Sequence, residues 1–193
     1  MNKNTYLFKS FLLLFLTAIF GYANAQYCTL NYSAANYSKI KNVKLVGNTT
    51  TIDNPSSSCS GYQDFTSVAA AELSAGGVYS MVVEHNYCLY NYYQDYLGVW
   101  IDYNQDNVFS ASEKIYAERK GNGATFSFNF TVPCNIKSGK TRMRVSLDED
   151  GVAKACGRGT FGYGQGEDYT VDLSLPAGLS SNFFAADTVY QGT

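Results

Sequence analysis

Between Trp100 and Glu113 the chain reads Trp-Ile-Asp-Tyr-Asn-Gln-Asp-Asn-Val-Phe-Ser-Ala-Ser-Glu, with oxygen-bearing side chains at alternate positions Asp102, Asn104 and Asp106 and again at Ser110. If Asp102 opens a twelve-residue loop, Asn104 and Asp106 stand at its third and fifth positions. Val108 offers a backbone carbonyl at the seventh, Ser110 stands at the ninth and Glu113 closes the twelfth. Oxygen ligands spaced this way on a tight turn converge on one point, and a bidentate Glu completes the shell. That is chemistry for a hard divalent cation, and the set predicts Ca²⁺ held by Asp102, Asn104, Asp106, Val108, Ser110 and Glu113. The turn needs positive φ at the sixth position, where Asn107 replaces the usual Gly. Phe109 is the apolar residue expected to pin the loop to the core.

Other groups invite weaker expectations. Tyr87, Tyr90, Tyr92, Tyr93 and Tyr96 crowd around Cys88, and an exposed platform of Tyr90, Tyr92, Tyr93 and Tyr96 would suit a glycan. Arg142 and Arg144 project from one face of a strand, and Glu167-Asp168 opens the last one, so a cross-strand charge network is expected, or acids that complete the cation shell. Asp148-Glu-Asp150 reads as a solvated acidic turn, and His85 as a surface residue at a strand end. The chain has no G-x-S-x-G, H-E-x-x-H or P-loop, and its single His excludes most zinc sites and hydrolytic triads. No enzyme activity is expected. A net charge of −2 and 16% charged residues exclude an electrostatic footprint for nucleic acid.

These residues need a β scaffold. Phe126, Phe128, Phe130 and Val132 alternate with polar residues, and so do Tyr169, Val171, Leu173 and Leu175. Weaker strands are expected at 43–46, 77–84, 97–103, 114–117 and 141–146, separated by Gly, Asn and Ser clusters. Only Ser67–Ser74 has a helical flavour. The pattern predicts an all-β, antiparallel β-sandwich of jelly-roll or Ig-like two-sheet architecture. Because an extended segment, not a helix, follows the loop, the ion would brace a β structure rather than drive a helix-opening sensor.

Lys3 and Lys9 precede an apolar run, and Ala23-Asn-Ala25 supplies small residues at a cleavage site, so residues 1–25 are expected to be a signal peptide. The sandwich is assigned to 26–176, and 177–193 to a linker and the start of a further domain, since its F-x-A-D-T alternation resembles the opening of a PKD-type or Ig-like repeat. No later segment is apolar enough to insert in a membrane. The expected location is therefore secreted, extracellular or at the cell surface. Export places all five cysteines where disulfides persist, with at most two bridges and one thiol left over.

Several of these segments together resemble the GEVED domain of secreted Bacteroidota-type surface proteins. The resemblance rests on Tyr27-Cys28, Gly61-Tyr-Gln-Asp-Phe-Thr-Ser67, Val99-Trp-Ile-Asp-Tyr-Asn-Gln-Asp106, Thr141-Arg-Met-Arg-Val145 and Gly164-Gln-Gly-Glu-Asp-Tyr169. In the last of these, Gln165 and Gly166 replace the first Glu and the Val of the name-giving G-E-V-E-D-Y. The resemblance implies a non-catalytic β-sandwich appended to exported hydrolases, adhesins or PKD-bearing proteins, and type IX secretion. It also implies a Cys28–Cys156 disulfide joining the first strand to the loop before the last. The function it suggests is a calcium-stabilised accessory or adhesion module, with neighbouring domains and an extracellular glycan or protein ligand as partners. The alternative is a carbohydrate-binding module built on the tyrosines.

Overall fold

The computed structural model describes residues 26–32, 38–89, 94–120, 125–149, 151–158 and 162–176. The expected leader, the 177–193 segment, and Tyr90, Tyr92 and Tyr93 lie outside them. Among the described residues ten strands form: β1 Ser38–Val46, β2 Thr51–Pro55, β3 Tyr62–Phe65, β4 Ala71–Ser74, β5 Val78–Tyr87, β6 Asp95–Ile101, β7 Lys114–Lys120, β8 Thr125–Thr131, β9 Gly139–Glu149 and β10 Gly164–Ser174. The described residues contain no α-helix, only a 3₁₀ turn at Ala111–Glu113. One sheet runs β2-β1-β5-β8, and the other runs β3-β10-β9-β6-β7 with β4 also paired to β10. This is the expected two-sheet sandwich.

The two sheets bury one another's apolar faces. Ile40, Val43, Leu45, Met81, Val83 and Phe126 meet Leu97, Val99, Met143, Val145, Tyr169 and Val171, all with no accessible surface or 1% of it. The strict alternation of β10 delivers Tyr169, Val171 and Leu173 to this core as its sequence predicts. In β8, Phe126 and Phe130 are buried, but Phe128 is only half-buried because β8 is an edge strand. Phe128 instead stacks on Tyr116 of β7, ring centroids 3.8 Å apart, and so closes one open side between the sheets.

Two expectations about elements are corrected. Residues 71–74 of the expected helix form β4, because Ala71 and Leu73 alternate inward while Glu72 and Ser74 face outward. β3 and β4 also pair with β10 in parallel, so the larger sheet is mixed. Both strands are only four residues long, too short to show a period by themselves.

Polar residues are also buried. His85 continues the inward alternation of Met81 and Val83 and is 4% exposed, not a surface residue. Its Nδ1 lies 2.7 Å from Asp95 Oδ2, with both side chains sealed from solvent. Asp148 and Glu149 belong to β9 and are buried, so they are no solvated turn. Asp148 receives the Tyr32 hydroxyl at 3.4 Å, and burial pushes its carboxyl up to about 6. Glu167 faces the space between the sheets, where it accepts from the Tyr169 hydroxyl at 2.7 Å and from Gln63 Nε2 at 3.2 Å.

Burial raises the Glu167 carboxyl to about 7, although the hydroxyl of Tyr169 opposes the shift. The folded state therefore holds a proton that the unfolded chain releases near the ordinary carboxyl value of 4.5. Stability should be greatest below that pH and decline as pH rises to about 7, by at most about 3 kcal/mol from this group. Urea unfolding at a series of pH values should show this decline. Glu167→Gln should remove about half of it, leaving a comparable slope of the same sign from Asp148.

Candidate functional site

The Asp102–Glu113 loop follows β6 directly and returns the chain to β7. Asn107 has φ of 64° and Gln105 has φ of 55°, so the reversal takes the left-handed backbone that the sequence requires at Asn107. Phe109 is 8% exposed and packs with Trp100 and Ala153 on the far face of the larger sheet, the anchoring role expected of it.

The carboxylates at the two ends of the loop point inward. Asp102 is fully buried, and its Oδ2 accepts from the Tyr27 hydroxyl at 2.6 Å and from Asn107 N–H at 3.0 Å. Its Oδ1 accepts Asp106 N–H at 3.3 Å. Glu113 is 3% exposed; its Oε1 accepts Tyr103 N–H at 3.1 Å, and its Oε2 accepts the Ser110 N–H and hydroxyl at 2.8 and 2.7 Å. Asn104, Asp106 and Val108 are exposed at the loop's crest. There Asp106 Oδ1 accepts Val108 N–H at 2.8 Å and its Oδ2 accepts Asn104 Nδ2 at 2.9 Å. The loop thus closes on its own donors. Among the described residues, no three His, Cys, Asp or Glu side chains group as a metal site.

The strongest charge constellation lies behind the loop. Arg144, 1% exposed, gives Nε and Nη2 to the two oxygens of Asp168, both at 2.7 Å. Its Nη1 donates to the carbonyls of Cys28 and Ala155 at 2.7 and 2.6 Å, and the guanidinium lies 4.9 Å from the Phe109 ring centre. Asp168 also accepts from Arg142 Nη1 at 3.1 Å and from the Tyr62 hydroxyl at 2.8 Å. The expected cross-strand network therefore forms, and its acid is engaged with arginine rather than with the Asp102–Glu113 loop.

This network fastens a cover onto the sheet. Residues 26–32 and 153–157 lie over the outward face of β6, β9 and β10, and Tyr27, Cys28 and Ala155 pack on the Trp100 cluster. The Cys28–Cys156 disulfide links the two segments, as the resemblance implies, although Cys28 sits in this cover and not in a strand. Cys59 pairs with Cys88, and Cys134 is free and exposed.

Gln165 was no part of the expected site, yet it is fully buried. Its Oε1 accepts Ile40 N–H at 2.6 Å, and its Nε2 donates to the Ser58 and Ser60 carbonyls at 3.1 and 2.7 Å. A carboxylate could not donate to those carbonyls. Only the oddity of Gln in an otherwise acidic motif pointed to it. Of the tyrosine platform, Tyr96 is described, and Arg119 lies over its ring at 5.1 Å.

Residues 96–172 match the model of the GEVED domain. That stretch holds the Asp102–Glu113 loop, Arg144 and Asp168, and so includes the whole of the described loop. No curated protein matches the chain.

Arg144→Met should leave Asp168 with a buried charge and two carbonyls without donors, lowering stability by about 3–5 kcal/mol in urea titration. Hydrogen exchange should rise first in residues 27–32 and 153–157. Uniform acceleration across both sheets would mean that Arg144 supports the fold as a whole and not the cover in particular.

Proposed function

We propose that this chain is a non-catalytic, calcium-stabilised accessory or adhesion module of an exported multidomain surface protein. The observation that carries the reading is where the charges of the GEVED-like motifs go. Arg144, Glu167, Asp168, Asp102 and Glu113 are all buried and bonded to the protein itself, so these residues build the module and present nothing to a substrate. The GEVED match supports a domain that accompanies other activities. Two disulfides support passage through an oxidising compartment. No helix among the described residues is long and apolar enough to cross a membrane, and we infer that the mature chain is secreted or displayed at the cell surface.

Calcium would be held by Asp102, Asn104, Asp106, the Val108 carbonyl, Ser110 and Glu113, and it would neutralise three carboxylates on one loop. The donor types and the turn at Asn107 support this reading. The hydrogen bonds that already occupy Asp102 and Glu113 set its strength, because those acceptors must be shared with or released from N–H donors before they ligate. Binding should therefore be weak, roughly 10⁻⁴–10⁻³ M, in the range of extracellular modules.

Thermal unfolding of the purified chain in EDTA and in about 5 mM CaCl₂ tests this. A ligand of about 1 mM affinity adds roughly 1 kcal/mol, a midpoint rise of about 2–4 °C. Asp106→Ala should abolish the calcium-dependent difference whatever its own baseline. Equal midpoints in EDTA and calcium for the unmutated chain would reduce the loop to a hydrogen-bonded turn.

A further inference from the structure

The cover over the larger sheet ends at Tyr27, and beyond it a cleft of about 270 Å³ opens on the same face. Its floor is the outward row of β9, Lys140 and Arg142, beside Thr170 of β10. Tyr27, Asn107 and Thr66 complete the lining. The volume lies just below the roughly 300 Å³ at which drug-sized pockets begin, which suits one monosaccharide unit.

The donors here are positioned and partly unspent. Arg142 is stacked on the Tyr27 ring at 4.5 Å and tied to Asp168 through Nη1, while its Nε and Nη2 make no hydrogen bond among the described residues. Lys140 stands directly across the ladder from Asp172, yet the two form no ion pair. Two cations alternate on one strand face, about 7 Å apart. Asp168 is shared between the bidentate Arg144 and Arg142 Nη1, and Asp102 is turned to Tyr27 and the loop amides, so Lys140 and the remaining nitrogens of Arg142 are left as local donors. Asp64 accepts Thr66 N–H at 2.8 Å and feels the charge of Arg142, which helps lower its pKa, and Asp172 stands across the ladder from Lys140 as a further acceptor. The Tyr27 ring lies between Arg142 and Phe109, so it cannot serve as an open stacking platform for a neutral sugar.

We propose that this cleft binds an acidic sugar residue, whose carboxylate is taken by Arg142 and Lys140 and whose hydroxyls meet Asn107 and Asp172. A guanidinium held on an aromatic face is pre-ordered, so little side-chain entropy is lost when it accepts the carboxylate. The proposal deepens the adhesion reading by naming a ligand class, and it does not depend on calcium at the adjacent loop.

Isothermal titration of the full chain with trigalacturonate, in EDTA and at low ionic strength, is the test, with galactotriose and sodium sulfate as comparison arms. Trigalacturonate should bind saturably and weaken with added salt, and galactotriose should not bind. Lys140→Ala removes only an exposed side chain, so it should keep the unfolding midpoint and weaken binding about tenfold, the loss of one charge-assisted hydrogen bond. Three results would overturn the proposal: no saturable binding in EDTA, unchanged affinity in Lys140→Ala, or sulfate binding as tightly as the acidic sugar. An unchanged midpoint on adding calcium would remove the calcium clamp and leave this cleft standing.

Discussion

One buried guanidinium joins four parts of this molecule. Arg144 reaches Asp168 of β10 from β9, the Cys28 carbonyl in the N-terminal segment, the Ala155 carbonyl in the 151–158 segment and the Phe109 ring in the loop after β6. Burying a charge costs several kcal/mol, and one carboxylate at good distance offsets this only when the remaining donors are also satisfied. Here all three guanidinium nitrogens are hydrogen-bonded, which Lys could not reproduce with a single ammonium. The interaction therefore organises more than it stabilises. It sets where the cover lies, hence where Tyr27 stands, hence which side of Asp102 receives a donor and where the open cleft begins.

The cover in turn needs close approach, and glycines provide it. A Cβ at Gly166 would collide with the Leu30 side chain, and one at Gly98 would collide with the Trp100 ring. Both glycines lie on the outward face of the larger sheet, where any side chain would lift residues 27–32 or 153–157 away. The departure of Gly-Gln-Gly-Glu-Asp-Tyr from the GEVED motif is thus coherent. The missing Val makes room for Leu30, and the Gln provides an amide that both accepts from β1 and donates to the 58–60 segment. Each replacement is explained by a neighbour distant in sequence.

This is also why the sequence was readable in some places and not in others. The strands with long unbroken alternation, β8 and β10, announced their inward faces, because period 2 is a local property. The turn at Asn107 and the anchor at Phe109 were equally local. β3 and β4 were missed because four residues carry too little period and their partner, β10, lies about a hundred positions away. His85, Asp148 and Glu149 were read as surface groups because polar residues usually are. Their burial depends on neighbours such as Asp95 and Tyr32, which no spacing rule brings together.

Those buried acids also bear on the non-catalytic reading. Carboxyls raised to about 6 and about 7 are a common mark of catalytic acids, and Asp148 and Glu167 carry that mark. A general acid must also touch its substrate, and both residues have no accessible surface. Glu167 sits between two packed sheets with Tyr169, Asn54 and Gln63 around it, and Asp148 lies beneath Tyr32. Their protons are held by exclusion of water from a folded core, so the perturbation records packing and not chemistry. Beside the cleft, Lys140 and Arg142 meet solvent as hydrogen-bond donors, and the crest of the Asp102–Glu113 loop meets it with Asn104 and Asp106.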